Sequence, residues 1–159
     1  KYALNSYRAM RRQVIHSDLH GDNIVLDAID INKPVGIIDF GDMLEAPLIT
    51  DAAVACSYLR PLEGDPISLI AEFLSGYHSV MPLLNEELDI IFELIQARLV
   101  ASISILDWRE HLNGPDDPYL DERIVGIGSP KHFLKCLRDI PRDYVRTILK
   151  QVCISQNHR

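Results

Sequence analysis

Two short β-branched runs, Ile24–Leu26 and Pro34–Ile38, flank the seven-residue polar stretch Asp27–Lys33, and this pattern narrows the possible folds more than any other feature. Runs this close, joined by Asp, Asn and Lys, predict an antiparallel hairpin. A parallel pair would need a crossover of roughly a dozen residues or more. The hairpin brings its two outer ends together, so Asn23 on one side meets Asp39-Phe40-Gly41-Asp42 on the other. Val14–His16 is a further short entry into a strand, broken at once by Ser17-Asp18-Leu19-His20-Gly21-Asp22-Asn23. The polar residues able to do chemistry therefore gather at one rim.

Outside this region the pattern is helical. Tyr2–Arg12 reads as the tail of a helix. Thr50 is placed to cap Asp51–Leu59, and Asp65-Pro66 opens a helix running to about Tyr77, with proline at its first position. Asn85 opens the longest helix, whose apolar face is Leu88, Ile91, Phe92, Ile95, Leu99, Ile103 and Leu106 at three- and four-residue spacing. Asn113–Pro118 ends it, and Ser129-Pro130 and Ile140-Pro141 start two final helices. The expected class is α+β and mostly helical: a short antiparallel hairpin backed by a bundle. Residues 14–42 would carry the loop and hairpin, and residues 49–155 the helical subdomain, of one lobe spanning 1–159.

A net charge of −7 makes nucleic-acid phosphates and anionic membranes poor partners. No apolar run reaches the roughly 18 residues needed to span a bilayer. Cys56, Cys136 and Cys153 are widely spaced, with no C-x-x-C, which fits core thiols in a reducing, cytoplasmic setting. The chain begins at Lys1 rather than methionine, so the expectation is a piece of something longer.

Asp18, Asn23 and Asp39 form the constellation with a chemical meaning. Phosphoryl transfer needs a carboxylate to orient or accept the proton of the attacking hydroxyl. It also needs oxygen ligands for a Mg²⁺ that bridges the phosphates. Mg²⁺ keeps several waters, so one amide and one carboxylate suffice.

His16-Ser17-Asp18-Leu19-His20-Gly21-Asp22-Asn23, followed by Ile38-Asp39-Phe40-Gly41-Asp42, resembles the catalytic and metal loops of the aminoglycoside phosphotransferase and choline kinase-like small-molecule kinases. Asp39–Met43 also resembles the metal loop of hydroxylysine kinase-like members, including those fused to class III aminotransferases. The resemblance implies the C-terminal lobe of a protein kinase-like fold. Asp18 would be the catalytic base, and Asn23 and Asp39 would hold Mg²⁺ and, through it, ATP. His16 would brace the loop by bonding backbone near the metal loop, while Asp51 would steady the catalytic loop from a helix start. His20 and Asp22 could face substrate or metal, and Asp42 could be a further cation site.

Ser17 stands where protein kinases carry an arginine, and about eight residues separate Gly41 from Thr50. That leaves no room for an activation segment and implies a small acceptor, such as a cationic amino alcohol. No G-x-G-x-x-G is present, and Gly126-Ile127-Gly128 reads as ordinary loop. The expectation is that the nucleotide-covering N-terminal lobe is missing, leaving Tyr2, Leu4, Tyr7, Met10 and Val25 exposed and inviting dimerisation. Trp108, Arg109 and Glu110 could line an acceptor pocket or simply end their helix. Two other readings stay open. Asp18, His20 and Asp42 could form the two-metal centre of a calcineurin-like metallophosphoesterase. Alternatively, the chain could be a non-catalytic remnant that binds a partner.

Overall fold

The computed structural model describes residues 2–61, 63–118, 120 and 128–154. Its elements run α1 (Tyr2–Ala9), β1 (Arg12–Ile15), β2 (Ile24–Leu26), β3 (Pro34–Ile37), β4 (Leu44–Pro47), α2 (Ile49–Tyr58), α3 (Pro66–Val80), α4 (Asn85–Leu88), α5 (Ile91–Asn113), α6 (Pro130–Arg138) and α7 (Arg142–Ile154). The fold is mostly helical, with two small antiparallel ribbons. No helix among the described residues is long and apolar enough to cross a membrane.

The expected hairpin forms, with Ile24 opposite Ile37 and Val25 opposite Gly36, and a bulge beyond Val25. A second ribbon was not legible in sequence. β1 pairs with β4, Ile15 opposite Leu44 and Arg12 opposite Pro47, and the bond from Leu48 N–H to the Arg11 carbonyl extends it. The chain leaves β1 into the loop 16–23 and enters β4 from the loop 38–43. Both loops are therefore anchored by ladder hydrogen bonds at each end.

Behind the ribbons, α2, α3, α5, α6 and α7 enclose one core of Ile49, Ile67, Ile70, Leu74, Ile91, Ile95, Leu99, Leu137, Val145 and Leu149. Two helix starts follow the sequence closely. The Asp65 carboxylate accepts from the N–H groups of Ile67 and Ser68 ahead of Pro66, and Ser129 Oγ accepts from His132 N–H ahead of Pro130. Gly114, at φ 81°, closes α5 where an L-residue would be strained.

Three local expectations need correction. Asn85 does not open the long helix; a single turn, α4, precedes a break at Ile90 and α5 begins at Ile91. The turn is held by Glu87, fully buried, which accepts from Leu84 N–H at 2.7 Å and from Arg11 at 2.8 and 2.9 Å. Thr50 does not cap α2, which starts one residue earlier; its hydroxyl instead lies 3.2 Å from Tyr7 Oη. Cys136 is not a core thiol like Cys56 and Cys153 but is half-buried beside His132.

The leading helix is also less exposed than expected. Met10 is buried and Tyr7 packs on the core, leaving Leu4 exposed; the Tyr2 side chain lies outside the described residues. Val25 is exposed as expected, and the ribbons and the loop 38–43 present further apolar groups to solvent: Val14 at 61% and Phe40 at 54%, with Val35, Ile37, Ile38 and Leu44 similar.

Candidate active site

The loop after β1 turns at Ser17, which takes φ 68°, a left-handed conformation unusual for a residue with a side chain. Asp51, in the first turn of α2, accepts from Ser17 N–H at 2.9 Å and holds that turn. Before it, His16 is buried; its Nε2 lies 2.9 Å from the Ile38 carbonyl and its Nδ1 accepts from Asp18 N–H at 3.4 Å. With Nδ1 accepting, the neutral ring carries its proton on Nε2, where the carbonyl needs it. The same ring tilts against Phe40 at 5.1 Å. His16 thus ties the first loop to the second by a hydrogen bond and by packing.

Asn23 completes the join. Its side-chain nitrogen donates to the Asp18 carbonyl at 2.9 Å, and its own carbonyl accepts from Ile38 N–H at 3.0 Å. Asn23 and Ile38 therefore continue the β2–β3 ladder by one pair, and Asp39 comes next. Asp39 is exposed and left-handed, with φ 62°. A Cβ placed on Gly41 would lie 3.4 Å from Asp39 Oδ1, so glycine keeps the carboxylate's flank open.

Asp18 is the most connected acid of the group. Arg98, from the middle of α5, donates to its Oδ1 at 2.6 Å, and His20 Nε2 stands 3.5 Å from its Oδ2. His20 stacks on Tyr58 with ring centroids 4.4 Å apart, and Arg60 lies over the same tyrosine ring at 5.1 Å. Arg98 also donates to Tyr58 Oη at 3.3 Å. Burial lowers the Arg60 pKa below its ordinary value, and repulsion from Arg98 works in the same direction.

Arg98, Tyr58 and Arg60 were missed in the sequence reading. One signal was available: Arg98 follows Ile91 and Ile95 at positions i+7 and i+3, on the stripe that α5 turns to the core. An arginine there needs a partner.

Other candidates lie further out. Asp22 is exposed, 3.8 Å from His20 Nδ1, and Asp42 is exposed in the turn after Asp39. The two-metal centre of Asp18, His20 and Asp42 is not assembled; among the described residues no three His, Cys, Asp or Glu side chains stand close enough to share a metal. Arg109 grips the buried Asp117 carboxylate at 3.1 and 3.0 Å at the end of α5, while Trp108 is exposed. Gly126 lies outside the described residues.

Comparison with known proteins gives the family. The profile of the phosphotransferase enzyme family matches residues 3–88, more than half of the chain and both loops. The chain belongs to that family. It is 28% identical over 154 residues to the hydroxylysine kinase of Xenopus laevis, covering 92% of this chain and 40% of that protein. The homoserine kinase of Methylobacillus glycogenes is 29% identical over 132 residues, 82% of this chain and 39% of its own length. The hydroxylysine kinase of Mus musculus is 28% identical over 116 residues, 69% of this chain and 31% of its own. The chain thus spans about two fifths or less of these curated relatives. No solved structure matches it.

Proposed function

We propose that this chain is the catalytic lobe of a small-molecule kinase that moves the terminal phosphoryl group of ATP to the hydroxyl of an amino-bearing alcohol. The acceptor oxygen forms the new bond to phosphorus, the bond to the bridging oxygen of ADP breaks, and the hydroxyl proton passes to the Asp18 carboxylate. The donors fit a hard cation. Asn23 commits its nitrogen to the loop, leaving its amide oxygen as a possible ligand, and Asp39 keeps an open carboxylate. Mg²⁺ held by these two would neutralise phosphate charge. His16 and Asp51 fix the two loops that carry Asp18, Asn23 and Asp39, and His20 and Asp22 border the base.

The observation that carries the reading is the link between Asn23 and Ile38, which seats the two loops side by side with Asp18 tied to Asn23. The family match and the hydroxylysine and homoserine kinases among the relatives support it. We propose further that the apolar ribbon face is covered by a nucleotide-binding lobe of the kind that would make up the relatives' greater length.

The test is Mg²⁺-dependent phosphoryl transfer from ATP to a panel of hydroxylated amines and amino acids, using protein made from the complete reading frame. Turnover of at least one acceptor, abolished in Asp18→Asn, is expected. Equal turnover in that variant would remove Asp18 from the role of base, and no transfer to any acceptor by the unaltered protein would favour the non-catalytic or phosphoesterase readings.

A further inference from the structure

Asp18 lies between two residues that α2 holds, one at each end of the helix. At its start the Asp51 carboxylate accepts from Ser17 N–H; at its end the Tyr58 ring stacks on His20, planes 20° from parallel. His20 is fixed in turn, because its Nδ1 accepts from Asp22 N–H at 3.3 Å. The neutral ring therefore carries its proton on Nε2, which faces Asp18 Oδ2 at 3.5 Å. Arg98 closes the circuit from α5, reaching Asp18 Oδ1 at 2.6 Å and Tyr58 Oη at 3.3 Å with the same nitrogen. Asp18, Arg98, Tyr58 and His20 thus form a closed ring of contacts with the carboxylate as one member.

Packing alone does not account for Arg98. Its Nε is buried with no hydrogen-bond partner among the described residues, and such a donor costs stability. A methionine would fill the same space without that cost. Side chains that break a local rule in this way are expected at functional sites. What the arginine adds lies at its far end, where it meets Asp18. A carboxylate oxygen keeps a further acceptor site when it takes one hydrogen bond, so the contacts with Arg98 and His20 leave lone pairs for an incoming hydroxyl. What they remove is the carboxylate's freedom to turn.

We propose that Arg98 and Tyr58 are positioning residues that set the direction in which Asp18 presents its free lone pairs to the acceptor hydroxyl. Arg98 acts by its hydrogen bond to Oδ1. Tyr58 acts one contact further away, seating the Arg98 guanidinium with its hydroxyl and His20 with its ring. A general base works only within hydrogen-bond reach of the proton it takes, so orientation governs the rate of the bound complex rather than the strength of binding. This rests on Asp18 being the base.

The experiment uses protein made from the complete reading frame, assayed with ATP, Mg²⁺ and the fastest acceptor among the panel's hydroxylated amines and amino acids. Arg98→Met, Tyr58→Phe, Tyr58→Leu, Asp18→Asn and the double variant of Arg98→Met with Asp18→Asn are compared, each beside its melting curve. Arg98→Met should lower kcat by roughly ten- to hundredfold, with KM for ATP and acceptor nearly unchanged and the melting temperature held or raised. Tyr58→Phe, which keeps the stack and loses the hydroxyl, should lose less than Tyr58→Leu, which loses both. Added to Asp18→Asn, Arg98→Met should lower kcat little further, because residues that act as a unit are not additive. Unchanged kcat in Arg98→Met, a loss matched by loss of folded protein, or a full further loss in the double variant would overturn the proposal and leave Asp18 as the base. If Arg98→Met does not fold, the two Tyr58 variants decide, and unchanged kcat in both overturns it. Full turnover by Asp18→Asn, or none by the unaltered protein, would overturn the base reading and this proposal with it.

Discussion

Asp51, in the first turn of α2, accepts a hydrogen bond at 2.9 Å from the backbone N–H of Ser17, thirty-four residues earlier in the chain. Ser17 is held left-handed there, one residue before Asp18. Strain of this kind persists only when the surroundings over-determine it. Asp51→Ala should cost about 1–3 kcal/mol of stability and should lower turnover by more than the stability loss explains. Asp51→Asn, which keeps an acceptor, should retain most of both. Thermal melts beside steady-state kinetics measure the two effects separately.

The ion pair of Arg11 and Glu87 makes a second prediction, about folding rather than chemistry. Glu87 is fully buried and serves Arg11 and the Leu84 N–H together, and its carboxylate raises the Arg11 pKa above the ordinary value. Glu87→Ala would leave the Leu84 N–H and Arg11 Nε unmatched, with Arg11 Nη2 keeping only the Pro82 carbonyl. The cost should be about 3 kcal/mol, the low end for breaking a buried pair, because Arg11 stays within reach of water. Glu87→Gln should cost less. Urea denaturation followed by circular dichroism is the check.

These two contacts also show where the sequence stops being readable. The hairpin, the loop spacing and the helix starts at Asp65 and Ser129 follow from short-range pattern, so they are visible in one dimension. The break after α4 is not, because Glu87 turns inward only to meet Arg11, seventy-six residues away. β4 was hidden because Leu44–Pro47 carries a glutamate and a proline and is defined by its partner β1. Arg98 lies eighty residues from Asp18. The motif singled out Asp18, and the arginine on the inward stripe of α5 signalled that it needed a partner without saying which one.

The three thiols should differ in reactivity. Burial pushes the Cys56 thiol well above its ordinary value and raises Cys153 to about 11, whereas Cys136 is half-buried on α6. The thiolate is the reacting form, so raising the pKa suppresses reaction at neutral pH. Iodoacetamide at pH 8 should label Cys136 first in the native chain, and all three only after denaturation. Mass spectrometry of the labelled peptides reads this directly. Rapid native labelling of Cys56 would mean the core around α2 opens easily.

The apolar ribbon face predicts association. Val14, Val25, Val35, Ile37, Ile38, Phe40 and Leu44 are all exposed in the 159-residue chain, and an accumulation of exposed apolar groups favours partners. Light scattering of the chain alone should show concentration-dependent dimers, weakened by Val35→Lys on the hairpin. Phosphoryl transfer by the 159-residue chain alone should be negligible, since it carries no glycine-rich phosphate loop. A strictly monomeric chain at high concentration would contradict the expected exposure.

The proposed role of Asp18 as the base of a Mg²⁺-dependent phosphoryl transfer stands or falls with its substitution. Protein made from the complete reading frame, unaltered and as Asp18→Asn, is assayed with ATP, Mg²⁺ and the best acceptor of the panel, and nucleotide affinity is measured in parallel. A fall in kcat of roughly 10²–10⁴-fold, with nucleotide affinity nearly unchanged, is the expected result. Turnover that survives the substitution would contradict it, as would phosphate release from a monoester in place of transfer from ATP.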